Sequence, residues 1–308
     1  MARLKVVRAP AAGPWSKLVS DYEAAAQARG LSHRTVDHYS DVLRRVLLPF
    51  CERQGIAAPT ELTKRHLERL SVELQERELS RPSIRSYLSA VNHFLRWAAR
   101  EGELPTPITA PQLRQERILI DVLSREELTR LEGAAQTERD KLIVRLLADT
   151  GMRLGELRAL RVDDLVSRGR ERFLRVRGKG SRERLVPLQP SLYARLERYV
   201  RLTRPEASSS ALFLTLNKRP GGVYEPIAET SVQHMIRYLG EVAGLGKRVY
   251  PHLLRHSFAT EMLRRGMHPI QLRDILGHSS LAMLDRVYSH LAPTDAYAAL
   301  IEALQEGT

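Results

Sequence analysis

Residues 101–121, EGELPTPITAPQLRQERILID, carry three prolines and no sustained apolar repeat. Proline has no backbone N–H and a fixed φ, so neither a helix nor an inner strand can run through this stretch. It reads as an extended linker over 103–121, and that break constrains everything else. The 308 residues must build two bodies, 12–102 and 122–308, each burying its own core.

The first body reads as four helices. Trp15, Leu18, Val19 and Tyr22 fall at i, i+3, i+4 and i+7, the spacing of one apolar stripe. Val36, Tyr39, Leu43, Val46, Leu47 and Phe50 repeat it after the Gly30–Ser32 break. Leu67, Leu70 and Leu74 make a third set, and Ile84, Tyr87, Leu88, Val91, Phe94, Leu95 and Ala98 a fourth. Four amphipathic helices with short joints predict an all-α bundle. Arg34, Arg44, Arg45, Lys64, Arg65, Arg81, Arg85 and Arg96 lie between the apolar positions, as a solvated face or as phosphate contacts.

The second body is mixed. Ser124-Arg125-Glu126-Glu127 has the capping-box pattern and opens a helical stretch through Leu128 and Leu131, resumed at Leu142, Ile143, Leu146 and Leu147. ERFLRVRGKGSRERLVPL (171–188) predicts a hairpin turning at Gly178–Ser181. ALFLTLN (211–217) fits a short strand or a buried connection, and Thr230-Ser231 are candidate caps for the helix that follows. Helical patterns run from 252 nearly to the end. The expected fold is mainly α with a small β-sheet in the C-terminal domain: an all-α bundle followed by an α+β domain.

Four separated places in this second body hold polar residues where an apolar pattern asks for none. Arg153 follows Gly151 in DTGMRLGEL, at a helix start that already favours an anion. Lys179 stands between two glycines at the hairpin tip. PHLLRHSFAT (251–260) sets His252, Arg255 and His256 among leucines. ILGHSSLAMLDRVYSHL (275–291) carries His278 and, ten residues on, Tyr288. Taken singly, each has an ordinary reading: an ion pair of Arg153 with Glu156, a solvated turn lysine, a structural histidine, a core tyrosine.

Taken together and in order, TGMRLGEL, RGKGSRERLVPL, HLLRHSFAT, LGHSS and VYSHL resemble the catalytic domain of the tyrosine recombinases, the lambda-integrase and Xer-type family. The resemblance covers roughly 122–291, and the helical first body is similar to that family's core-binding domain. It implies a site-specific DNA recombinase of prokaryotic or phage type that cleaves and rejoins duplex DNA through a 3′-phosphotyrosine. The task would be integration, excision or Xer-like resolution.

The residue types suit that chemistry. Phosphoryl transfer needs an in-line nucleophile, a proton donor for the leaving oxygen and cations around the equatorial oxygens. The resemblance implies Tyr288 as nucleophile and Lys179 as general acid. Arg153 and Arg255 would be planar donors to the non-bridging oxygens, and His252 and His278 hydrogen-bond donors, with His252 also available to accept the tyrosine proton. Tyr297 is a competing tyrosine, and Glu156 or Asp164 could orient Arg153 or His256. No cofactor and no metal are required. His252 and His256 have the i, i+4 spacing of zinc-binding helices, but Leu253 stands where such helices carry glutamate and Arg255 repels a cation.

Composition agrees. A net charge of +13, spread over both halves, suits a polyanionic partner, double-stranded DNA. No apolar run reaches the ~20 residues of a membrane span. The N-terminus lacks a signal-peptide core, and the single cysteine, Cys51, fits a reducing cytoplasm. PTDAYAALIEALQ (293–305) is an amphipathic helix that packs in cis or docks on a neighbouring protomer, giving a tetramer on DNA. The rival readings are a non-catalytic DNA-binding protein of this fold and a type IB topoisomerase-like enzyme. The first does not require the six polar residues together, and the second fits poorly with so short a chain.

Overall fold

The computed structural model of the chain describes residues 13–114, 121–178 and 183–277. It divides into two compact units, Met1–Arg117 and Ile118–Thr308.

The first unit is the expected bundle. α1 (Pro14–Ala28) buries Trp15, Leu18, Val19, Tyr22 and Ala26. The second apolar set forms α2 (His33–Val42), a π-helical segment Leu43–Leu47 and α3 (Leu48–Arg53) without a break in the chain. Pro49 explains the widened turn. Its ring has no N–H for the Arg45 carbonyl and would collide with it, so the backbone opens locally and the Leu48 N–H reaches back to the Leu43 carbonyl. α4 (Lys64–Glu76) starts at a Thr63 cap and α5 (Arg81–Arg100) at a Ser80 cap. Tyr22, Phe50, Phe94 and leucines from the last two helices close the core.

The proline-rich segment differs from a free linker over its described part. It forms no helix or strand up to residue 114, yet Leu104 and Ala110 are buried in the first unit's core and Ile108 and Leu113 pack on it. Asn92 supplies the reason. Its amide accepts from the Ala110 N–H at 2.7 Å and donates to the Ala110 carbonyl at 2.9 Å, satisfying a backbone that proline keeps out of regular structure.

The second unit is mainly helical around one small antiparallel sheet. α6 (Arg125–Gly133) opens with the capping box, Ser124 and Glu127 satisfying each other's backbone N–H. α7 (Glu138–Thr150) is the central helix, packed by α6, α8 (Leu154–Arg158), α9 (Pro190–Leu202) and α11 (Pro251–Arg264). The sheet is a meander of β1 (Leu165–Arg168), β2 (Glu171–Arg177) and β3 (Glu183–Pro187). Its β2–β3 register pairs Leu174 with Val186 and Val176 with Arg184. Residues 211–217 form a connection held by isolated bridges, with Leu212, Phe213 and Leu214 buried and Leu216 and Asn217 exposed. α10 (Glu229–Val242) begins one residue before Thr230, so Thr230 and Ser231 sit in its first turn and Ala228 takes the cap position. α12 (Pro269–Leu276) closes the described chain. Among the described residues no helix is long and apolar enough to cross a membrane.

Candidate active site

Two glycines shape the site. Gly151 ends α7 at φ 59° and Gly277 ends α12 at φ 65°, both left-handed. A Cβ on Gly151 would lie 2.5 Å from the Phe258 ring and 2.7 Å from Leu276, and one on Gly277 would lie 2.8 Å from the Arg184 guanidinium. Both positions therefore require glycine, for conformation and for space. The turn at Gly151 buries Met152 and delivers Arg153 to the N-cap of α8, where its N–H donates to Glu156 Oε2 at 2.8 Å.

Arg153 and Arg255 come together here. The Arg153 guanidinium is partly open. It donates to Glu156 Oε1 at 3.0 Å and, through both terminal nitrogens, to the Gly277 carbonyl at 3.2 and 3.3 Å. Arg255 projects from the interior of α11 and is 4% exposed. It donates to the Gly151 carbonyl and, at 2.9 Å, to the Leu276 carbonyl. Burial, and then the neighbouring charge of Arg153, push its pKa down to about 9, against the pull of Glu156. It is still charged at neutral pH, but in a place where positive charge is crowded. Glu156 is the counterweight. Burial opposes its charge, but hydrogen bonds from Arg184 and from the Arg153 N–H hold its carboxyl below the usual range.

His252 sits exposed in the first turn of α11 and lines the same cleft of about 360 Å³ as Arg153 and Arg255. His256, one turn on, is buried with Arg255 and Ser257. Among the described residues no group of three or more His, Cys, Asp or Glu is placed to hold a metal ion. Asp164 turns to Arg177, at 2.8 Å, and ties down the end of β2 just before the hairpin tip. Lys179, His278 and Tyr288, with Tyr297, lie outside the described residues. In the first unit Arg44 is drawn bidentately onto Glu23 and Arg45 onto Asp41, and Lys64 lies 3.9 Å from Glu68. Arg34, Arg65 and Arg81 are exposed, and Arg85 is half-buried.

Sequence reasoning passed over Arg184 and the cleft's other wall. Arg184 donates to both Glu156 oxygens, at 3.0 and 2.8 Å, and to the Ile275 carbonyl at 2.7 Å. It shares a strand face with buried Val186, and a cation two residues from a core valine was the available signal. Gln233 and Arg237 of α10, with Arg248 and Tyr250 ahead of α11, line the same cleft as Arg153. These four come from two segments, and nothing in their local pattern links them to the arginines.

Residues 121–295 match the family model described as the phage integrase family, and residues 20–102 match that of the phage integrase N-terminal SAM-like domain. The chain belongs to the phage integrase family of tyrosine recombinases. This recombinase is 32% identical over 285 residues to the tyrosine recombinase XerD of Bifidobacterium longum, covering 86% of this chain and 89% of that one. It resembles the crystal structure of XerA recombinase at 27% identity and a TM-score of 0.51, over 93% of this chain and 98% of that one. A further likeness in fold is to XerH site-specific recombinase bound to a palindromic difH substrate, at 20% identity and a TM-score of 0.70, over 92% and 84% of the two chains. The activity is that of a site-specific recombinase, which cleaves and rejoins DNA, and neither the binding-module nor the topoisomerase reading is favoured.

Proposed function

We propose that this recombinase opens a strand of duplex DNA by attack of the Tyr288 hydroxyl on the scissile phosphorus. The bond from phosphorus to the 5′ oxygen breaks, and the phosphate stays on the tyrosine as a 3′-phosphodiester. Lys179 gives its proton to the leaving 5′ oxygen, and His252 takes the proton of the tyrosine. Arg153 and Arg255 bind the non-bridging oxygens, with His252 and His278 as further donors. Religation is the reverse, a 5′ hydroxyl attacking the phosphotyrosine.

The observation that carries this reading is the crowding of charge in one cleft. Arg153, Arg255 and His252 converge on it, and the charge of Arg255 is opposed by burial and by Arg153. A phosphate between the two guanidiniums relieves both penalties. Duplex DNA is thus the partner, held also by cations of the first unit, among Arg34, Arg44, Arg45, Lys64, Arg65, Arg81 and Arg85. The amphipathic segment 293–305 docks on a neighbouring protomer to build a tetramer. In the same fold, a lambda integrase has been solved as a tetramer bound to a Holliday junction.

The test is covalent capture. The full-length protein is incubated with a pool of randomised nicked duplexes, denatured, and the DNA that stays attached is sequenced. The expected result is a 3′-linked adduct that forms in EDTA, and a Tyr288→Phe variant that binds DNA without forming one. An adduct with the Phe variant would overturn Tyr288 as nucleophile, and loss of cleavage in EDTA would overturn the arginine-based site.

A further inference from the structure

Three consecutive carbonyls at the end of α12 are taken by three different arginines. Ile275 accepts from Arg184, Leu276 from Arg255 and Gly277 from Arg153. Helix C-termini leave their last carbonyls without intrahelical partners, and capping by water or by glycine geometry is the ordinary solution. Here the glycine turn is present at Gly277, and the helix end is in addition the frame on which the guanidiniums are mounted.

Arg184 differs from Arg153. Its side chain is 15% exposed, against 40% for Arg153. Three of its five N–H groups are committed, two to the Glu156 carboxylate and one to the Ile275 carbonyl. Glu156 in turn holds both the side chain and the backbone N–H of Arg153. Gly277 leaves no room for a Cβ against the Arg184 guanidinium, so the turn that launches residue 278 is built around this side chain. A buried ion pair returns little net stability for its desolvation, so stability alone is a poor reason for one here.

We propose that Arg184 is a positioning residue for strand cleavage. Through Glu156 it fixes the guanidinium of Arg153, and through the Ile275 carbonyl it fixes the end of α12 from which the chain runs on to His278. It does so without touching the phosphate. The proposal rests on the reading of Arg153 as a phosphate ligand.

The experiment uses full-length Arg184→Lys and Arg184→Met with the duplex recovered by covalent capture. Single-turnover adduct formation, DNA affinity and the thermal midpoint are read on the same preparations. Lysine keeps the charge but cannot reproduce a planar fork with a third donor. Both variants are expected to lose about 100-fold in cleavage rate, the scale of a small misplacement of a catalytic group. DNA affinity should stay within about threefold, since Arg184 does not line the cleft and its fork is spent on Glu156 and the Ile275 carbonyl.

An Arg184→Lys rate near that of the wild type would overturn positioning in favour of charge alone. Loss of DNA affinity in step with the cleavage rate in the folded Lys variant would reduce Arg184 to a structural role. Should Arg184→Met not fold, the Lys variant carries the test.

A pH profile gives an independent readout. The charged groups facing Glu156 are Arg153 on α8, Arg184 on β3 and Arg255 on α11, with Glu229 of α10 beside Gly155. Without Arg184, burial dominates and the carboxyl protonates at higher pH. The rate of the Met variant relative to wild type should therefore fall as the pH is lowered. A constant ratio would count against the Glu156 route. The outcomes are separable from failure of the functional reading. Absence of any wild-type adduct sinks the phosphotyrosine mechanism, whereas a wild-type adduct with unchanged Arg184 variants sinks only this proposal.

Discussion

The bundle surface and the cleft of the second unit use arginine in opposite ways. In the bundle, arginines meet carboxylates on the surface: Arg44 with Glu23, Arg45 with Asp41, Arg53 and Arg77 sharing Glu73. In the second unit, Arg153, Arg184 and Arg255 meet the backbone carbonyls of residues 275–277 and one buried carboxylate. Surface pairs are worth about 0–1 kcal/mol each and exchange readily for another anion. Guanidiniums held by a helix end cannot move without disturbing the backbone. The first arrangement suits a surface that adapts to a duplex, and the second suits a site where an oxygen must be met at one place.

The largest effect that separates the two is expected at Arg255. Arg255→Met leaves the buried carbonyls of Gly151 and Leu276 without their donor, at about 1–3 kcal/mol each. It also removes the charge-assisted phosphate contact proposed for this side chain. Adduct formation should become undetectable, and the thermal midpoint should fall by several degrees. An unchanged midpoint would mean that Arg255 serves only the phosphate and not the helix end.

Next in size is Gly151→Ala. Left-handed φ and a Cβ within 2.5 Å of the Phe258 ring predict about 2–4 kcal/mol of destabilisation, read by denaturant unfolding. The same substitution at Gly30, also at positive φ but with open space around its Cβ, should cost about 1 kcal/mol. Equal losses at the two positions would mean that the close approach at Gly151 contributes nothing beyond its φ.

How much of this was legible in the sequence follows from the same contrast. The bundle helices announce themselves because apolar spacing is a local property, and the capping box at Ser124 is local too. Arg153 and Arg255, 102 positions apart, were brought together by motif resemblance; their partners were not. Backbone carbonyls carry no side-chain signature, so the α12 end was invisible as a scaffold. Arg184 gave only a faint local signal, a cation on the strand face of Val186, and its partners Glu156 and the Ile275 carbonyl lie far off in the chain. The packing of the proline-rich segment on the bundle was not legible for a different reason, since Asn92 satisfies its backbone from 18 residues away. Pro49 was passed over because a π-turn absorbs it.

A smaller effect tests the open wall of the cleft. Arg237 and Arg248 are exposed, and as phosphate contacts each should weaken DNA binding similarly on all sequences when changed to Ala. The slope of log affinity against log salt should fall by about 1 for each. A sequence-dependent loss with an unchanged slope would make them readers of base edges instead.

The smallest effect probes the surface arrangement itself. Arg44 is one of the cations proposed to reach DNA, yet Glu23 grips it at 2.9 and 3.1 Å. To contact a phosphate it must leave that carboxylate, and the exchange costs part of what the phosphate returns. Glu23→Gln loosens the grip without removing the arginine. DNA affinity at low salt should therefore rise by about two- to fivefold, with little change in stability. An affinity that does not move, alongside an Arg44→Gln variant that also binds normally, would take Arg44 out of the DNA-facing surface. It would leave the pair as a tie between α1 and the π-segment, and the contrast between the units would then rest on the remaining surface cations.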